Sequence, residues 1–419
     1  MCPDQGQRIG DREPSTGTPH GGGDREAPPR ALRDGGDDRP PGARTEEAAQ
    51  GPPEAPPDAA GRPGRGRWVR RLAAPVAAAA VGAALAVGGV PAGLYDPLAC
   101  AVAEIACPPS QDNGEIPVLR PMSAAEVATA GAYVGLGDSY SSGEGAFGEQ
   151  DEQAPVNPGA TACRRSRESY VPQVGEAYRF PEGVEFWACG GATTRGVLRG
   201  QHGHTPQIER IGPATSLVTL TLGGNDAGFS PVLTECFTRV TWSDACVRQE
   251  PEVRRRIERL GHDLYEVIAE IRRRAPRARI IVVGYPRPFP KSPAEEVRGL
   301  GPLPAVSLTP DDQLWLNRMT KELDDQIARV ANGIDRLIAA FRGQGSVEYL
   351  DAYDAFDGHE VGTAQPYLNG LVLELGVPPV NPHSFHPNRD GYRRLGELVK
   401  QRVAQGPDRP LYNYRVETR

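Results

Sequence analysis

AYVGLGDSYSSGEGAF, residues 132–147, is the stretch from which the rest of the chain is read. Its apolar run up to Leu136 suits a buried strand. Gly137, Ser141, Ser142, Gly143 and Gly145 follow, small residues that let a backbone turn tightly and come close to a ligand. Ser139 is thereby set just beyond the carboxyl end of a strand, where open α/β sheets bind their ligands. A serine there is either a nucleophile or a helix N-cap, because Gly-Asp-Ser is also a common turn tripeptide. The remainder of the chain decides between the two.

Upstream, composition divides the chain. Residues 1–71 hold 13 Gly and 12 Pro, with 12 acidic side chains against 12 arginines. So much Gly and Pro with so few large apolar residues predicts a disordered tail without strong net charge. The run Leu72–Tyr95 then continues for 24 residues without a charge, long enough to cross a bilayer. Arginines 62, 65, 67, 70 and 71 precede it, while Asp96, Glu104, Asp112 and Glu115 follow. That asymmetry predicts a single-pass anchor in the cell membrane, the tail cytoplasmic and the large C-terminal part outside. The rival reading is a cleaved secretory signal, since Val90-Pro91-Ala92 and Ala101-Val102-Ala103 both look cleavable. Residues 96–122 read as an extracellular linker and 123–419 as the domain.

Cysteine usage agrees with export. Cys2 falls in the tail, and the other six fall into sequential pairs: Cys100–Cys107, Cys163–Cys189 and Cys236–Cys246. No C-x-x-C occurs and no zinc spacing is recognisable, so neither metal nor cofactor is expected. His202, His204 and His383 have no Asp or Cys at matching spacing and read as solvated loop histidines. A net charge of −7 argues against a nucleic-acid partner.

From about Ser123 onward, strand and helix patterns alternate. The strand candidates are Tyr133–Leu136, Val184–Ala188, Leu217–Leu222, Arg279–Gly284 and Val347–Leu350. Ile257, Leu260, Leu264, Val267, Ile268 and Ile271 share one helix face. Leu316, Leu323, Ile327, Val330, Ile334, Leu337 and Phe341 do so on a longer helix that starts after Thr309-Pro310-Asp311. A last helix spans about Arg389 to Val403. Such alternation predicts an α/β fold, a parallel sheet sandwiched between helices. Two long loops, 286–308 and 351–382, are placed to line a groove.

Each of the first three strands ends in a small-residue motif: Gly137-Asp138-Ser139, then Cys189 to Thr194 (CGGATT), then GGND at 223–226. In a parallel sheet these ends gather at one edge, where a serine, a glycine N–H and an asparagine amide could converge. Acyl transfer needs that set, a nucleophile plus donors for the oxyanion. His386, in SFHPN at 384–388, is available as the base. Separately, each motif also has a plain reading as a cap or a turn. No G-x-S-x-G occurs, so an α/β-hydrolase elbow is unsupported.

GDSYSSGEG, ACGGATT, LTLGGND and SFHPN, in this order and supported by GYPRPFP at 284–290, resemble the SGNH (GDSL-type) hydrolases. The likeness is greatest to the secreted actinobacterial esterases and lipases. It covers roughly Tyr133 to the last helix. It implies a three-layer αβα sandwich on a five-stranded parallel sheet of flavodoxin-like order, with hydrolysis of carboxylic esters and no metal. On this likeness Ser139 is the nucleophile and lends its own N–H to the oxyanion hole. Gly191 supplies a second N–H, Asn225 its amide, and His386 is the base.

Two departures stand out. Many members carry Asp three residues before the catalytic His, where this chain has His383. The expectation is therefore a Ser-His dyad with the His383 carbonyl holding the imidazole, the rival being a carboxylate such as Asp351. Relatives often join the two long loops by a third disulfide, yet Gly362 stands at that cysteine's place, which predicts looser loops. An ester of a lipid or an acylated small molecule is the expected substrate. The alternatives are acyl transfer or deacetylation on cell-wall sugars, and a non-catalytic binding domain.

Overall fold

The computed structural model describes residues 116–238, 246–298, 307–371 and 381–417. The tail 1–71, the apolar run 72–95 and the Cys100–Cys107 pair lie outside them. In chain order the described strands are β1 (Ile116–Met122), β2 (Ala132–Gly137), β3 (Val184–Phe186), β4 (Thr215–Thr221) and β5 (Arg279–Val283). Then come β6 (Val297–Arg298), β7 (Ser307–Leu308), β8 (Ser346–Leu350) and β9 (Leu411–Glu417).

The five apolar segments pair in parallel in the order β3-β2-β4-β5-β8. Counting only these five, the order is 2-1-3-4-5, the flavodoxin-like winding. Every residue of β4 and β5 is buried, as a parallel sheet covered on both faces requires. Cover comes from helices such as Tyr170–Ala177, Glu250–Arg274, Pro310–Ala340 and Arg389–Gln405. The predicted face of Glu250–Arg274, from Ile257 to Ile271, is buried as a stripe. Pro310–Ala340 starts with a capping box: Asp312 N–H donates to Thr309 Oγ1 at 3.2 Å and Thr309 N–H to Asp312 Oδ2 at 3.0 Å. Its predicted face needs one correction. Leu337 is 48% exposed and Ile338 is buried instead, because Ile338 lies four residues after Ile334 and so continues the inward stripe.

The stretch read as linker, 96–122, contains a strand. β1 pairs antiparallel with β9 from Ile116↔Glu417 to Met122↔Leu411. β6 and β7 form a two-residue antiparallel pair inside the first long loop. Among the described residues no helix is long and apolar enough to cross a membrane.

The parallel order brings the ends of β2 and β4 side by side. Gly137 registers with Thr221, and Asp138 N–H donates to the Thr221 carbonyl at 3.0 Å. Everything that follows is built on that edge.

Candidate active site

Ser139 opens the short helix Ser139–Ser142, but it does not cap it. Asp138 is the cap, its carboxylate accepting from Tyr140 N–H at 3.0 Å. The Ser139 hydroxyl is thus free of that duty, and His386 Nε2 lies 2.7 Å from Ser139 Oγ. The two residues are 247 positions apart, so the contact is made by the fold and not by local sequence.

His386 is positioned by a tight turn. Its own backbone N–H donates to the His383 carbonyl at 3.1 Å, and Phe385, third in the turn, holds φ at 60°. A left-handed phenylalanine is strained and persists only where its surroundings fix it. Phe385 N–H donates to the Asn369 carbonyl at 3.0 Å, and the Phe385 carbonyl accepts from Tyr140 OH at 2.6 Å. The turn points the Ser384 carbonyl at the imidazole, 3.1 Å from Nδ1. This corrects the expectation for His383: its carbonyl already accepts the turn's backbone N–H, and the ring's partner is Ser384, one residue on. A carbonyl only accepts, so Nδ1 carries the proton and Nε2 faces Ser139 as an acceptor. The His383 ring turns to Arg164, accepting from Nη2 at 2.7 Å.

The oxyanion candidates sit on the neighbouring strand ends. Gly191 has φ 74° in an exposed turn. Cys163–Cys189 and the Gly190 N–H···O=C Cys163 bond of 2.9 Å pin that turn. Among the described residues neither the Ser139 nor the Gly191 N–H has a main-chain partner. Asn225 donates one amide N–H to the Ala192 carbonyl at 3.0 Å, which holds its side chain over the turn and leaves the second N–H for a ligand. Asp226 also reaches outside its own helix. It accepts from Thr194 N–H at 3.1 Å and Thr194 Oγ1 at 2.6 Å, locking the second motif to the third.

Ser139, Gly191, Asn225 and His386 all line one cleft of about 460 Å³. Burial holds His386 at a pKa of about 4, the Ser384 and Pro382 carbonyls acting in the opposite direction. Burial pushes Asp138 up to about 6, against donation from Thr221, Tyr285 and Tyr140. It pushes Glu144 up to about 7 despite Arg164, whose Nε lies 2.6 Å from Glu144 Oε1.

The profile of the GDSL-like lipase/acylhydrolase family matches residues 136–394. The chain belongs to that family. The lipase of Streptomyces rimosus is 33% identical over 260 residues, 62% of this chain and 81% of that protein. Lipase 1 of Streptomyces coelicolor is 30% identical over 277 residues, 64% and 85% of the two chains. The solved extracellular lipase of S. rimosus superposes with a TM-score of 0.50 at 30% identity, over 66% of this chain and all of that one. Phospholipase A1 of Streptomyces albidoflavus does so with a TM-score of 0.50 at 32% identity, over 66% and 99%. The family and these relatives make this chain a carboxylic ester hydrolase.

Several site residues escaped the sequence reading: the Ser384 carbonyl, Tyr140, Tyr285, Asn369 and the Glu144–Arg164 pair. Tyr285 alone carried a signal, its place two residues beyond β5 in GYPRPFP. Among the described residues the two long loops are joined by an ion-pair cluster. Arg287, buried in the first loop, pairs with Asp354, Asp357 and Glu360 of the second. His204 packs beside Gly159, His202 lines the cleft and the His383 ring faces Arg164.

Proposed function

We propose that the chain is an exported serine hydrolase that cleaves esters through an acyl-enzyme on Ser139. The observation that carries this reading is the 2.7 Å contact between His386 Nε2 and Ser139 Oγ, in a cleft shared with Gly191 and Asn225. Ser139 Oγ attacks the acyl carbon as Nε2 takes its proton. The Ser384 carbonyl keeps Nδ1–H fixed, so among the described residues the pair works as a dyad with no carboxylate on the ring. The N–H groups of Ser139 and Gly191 and the Asn225 amide receive the oxyanion. Nε2–H then protonates the leaving alcohol, and water repeats the sequence on the acyl-enzyme. Phe229, Leu233, Leu316, Leu323 and Phe289 form an apolar wall of the cleft, suited to the acyl chain.

The Cys163–Cys189 and Cys236–Cys246 bridges support export. The proposal keeps the cytoplasmic tail 1–71 and a tether at 72–95, on the charge asymmetry around that run. A fluorophosphonate should label the wild type on Ser139. Ser139→Ala and His386→Ala should each lose nearly all esterase activity, and Asn225→Ala about a hundredfold in turnover, the scale of an oxyanion donor. Near-normal activity in folded Ser139→Ala would sink the assignment. Fractionation of cells should leave the activity with the membranes; mature protein found only in the supernatant, starting near Gly93 or Glu104, would replace the tether by a cleaved signal.

A further inference from the structure

Three loops carry Ser139, Asn225 and His386, and each is gripped one residue before its functional side chain by a tyrosine. Tyr285 OH donates to Asp138 Oδ2, and its oxygen accepts from Gly224 N–H at 3.0 Å. Tyr140 OH donates to the Phe385 carbonyl at 2.6 Å. The two rings meet edge to face, 5.1 Å apart at 79°. We infer that Tyr285 is a positioning residue of the ester hydrolysis, its hydroxyl setting the separation between the Ser139 loop and the Asn225 loop. The inference rests on the roles given to Ser139 and Asn225 above.

The hydrogen-bond directions are forced. An amide N–H only donates, so the Tyr285 oxygen accepts from Gly224 and its single proton goes to Asp138. Asp138 has other donors, Thr221 Oγ1 at 2.6 Å and Tyr140 N–H at 3.0 Å. They tie it to β4 and to its own loop, whereas the hydroxyl of Tyr285 bridges to residue 224. The ring in turn is anchored from behind, because Tyr285 N–H donates to the buried Asp324 Oδ1 at 2.9 Å. The second glycine of GGND follows from this contact. A Cβ at Gly224 would stand 3.3 Å from Tyr285 Cζ and its hydroxyl oxygen, closer than ordinary packing. The motif therefore leaves room for the bridge, and a side chain at 224 would push Asn225 away from the nucleophile.

Removing the hydroxyl frees the two loops to drift while the ring still fills its place. Tyr285→Phe should lower kcat about 10- to 100-fold and change KM by less than about 3-fold, because the lost interaction matters to the oxyanion and not to ground-state binding. The decisive measurement is the same substitution in an Asn225→Ala background, on a soluble short-chain ester. With no side-chain donor left to misplace, it should cost less than about 3-fold there. Unchanged kcat in Tyr285→Phe, or the full loss repeated without Asn225, would overturn the inference. Ser139→Ala, run alongside, separates the two levels: activity surviving there would overturn the reading of the site, and this inference with it. If Tyr285→Phe does not fold, Gly224→Ala, which presses a methyl against the same hydroxyl, must show the same split between kcat and KM or the inference falls.

Discussion

Two opposing influences meet at His386. Half-burial strips part of the water that would solvate an imidazolium, with His383 and Arg164 adding to that penalty, and the Ser384 and Pro382 carbonyls return part of the stabilisation. Burial wins, and the pKa falls from the ordinary 6.5 to about 4. In the proposed role of general base His386 works in its neutral form, so on that reading the site stays competent on the acid side until pH falls toward 4. The acid limb of kcat/KM for a neutral ester should therefore have a midpoint well below 6.5. Glu144, which burial pushes up to about 7, lies in the same cleft, so the profile is taken in Glu144→Gln as well. A midpoint at or above 6.5 in both proteins would contradict a desolvated imidazole. That Ser139, Gly191, Asn225 and His386 would line one cleft was legible in sequence, from small-residue motifs at three strand ends and a histidine before the last helix. The acceptor of the His386 ring was not, since a positive φ at Phe385 leaves no mark on the sequence. A one-residue difference in a turn decides which carbonyl faces the ring.

At the level of elements, the site depends on how its loops are pinned. Cys163–Cys189 closes a loop of 26 residues and holds the Gly191 turn. In the chain-entropy account such a closure is worth about 3 to 4 kcal/mol. Replacing both cysteines by alanine should lower the unfolding free energy by about that much, and should lower kcat as the turn proposed to bind the oxyanion loosens. Unchanged kcat in a folded double variant would show that the bridge serves stability alone. The two long loops are joined differently. Arg287 and Glu360 are both buried and paired, with Asp354 and Asp357 completing the ring of carboxylates from the exposed side. Pro286, Pro288 and Phe289, next to Arg287, line the cleft. Arg287→Gln leaves Glu360 uncompensated, so it should destabilise by about 3 to 5 kcal/mol and raise KM as the cleft wall moves. A loss below about 1 kcal/mol, the scale of a surface pair, would show that the clamp is solvated. The family resemblance implied looseness from Gly362, where relatives often carry a cysteine, while an arginine's partners about seventy positions away leave no mark on the sequence.

For the whole molecule, a parallel sheet between helices was legible in the alternation of short apolar runs with helix patterns, whereas its flavodoxin-like winding was implied only by the family resemblance. The β1–β9 pair was not legible, because Pro117 and Pro121 obscure the strand pattern in β1 and its partner lies at the other end of the described chain. The far edge of the sheet, away from the site, is closed by Arg279, at the start of β5 and fully buried. Its guanidinium meets Glu348 of β8 through two bonds, 2.8 and 3.0 Å. It also donates to the carbonyls of Ala124 at 2.8 Å, Val403 at 2.7 Å and Arg402 at 2.9 Å. One side chain thus joins two sheet strands, the end of the last helix and the start of the helix after β1. Arg279→Met strands Glu348 without its cation and should cost about 3 to 5 kcal/mol, while Arg279→Met/Glu348→Met should recover most of that loss. The strand ends that carry Ser139 and Asn225 lie at the opposite edge. Both variants, assayed where they are folded, should therefore keep kcat and KM within about 3-fold of wild type, since distant sites contribute independently. A single variant as stable as wild type would mean that water reaches Glu348. A double variant no more stable than the single would mean that the three backbone carbonyls, and not the carboxylate, are what Arg279 is needed for.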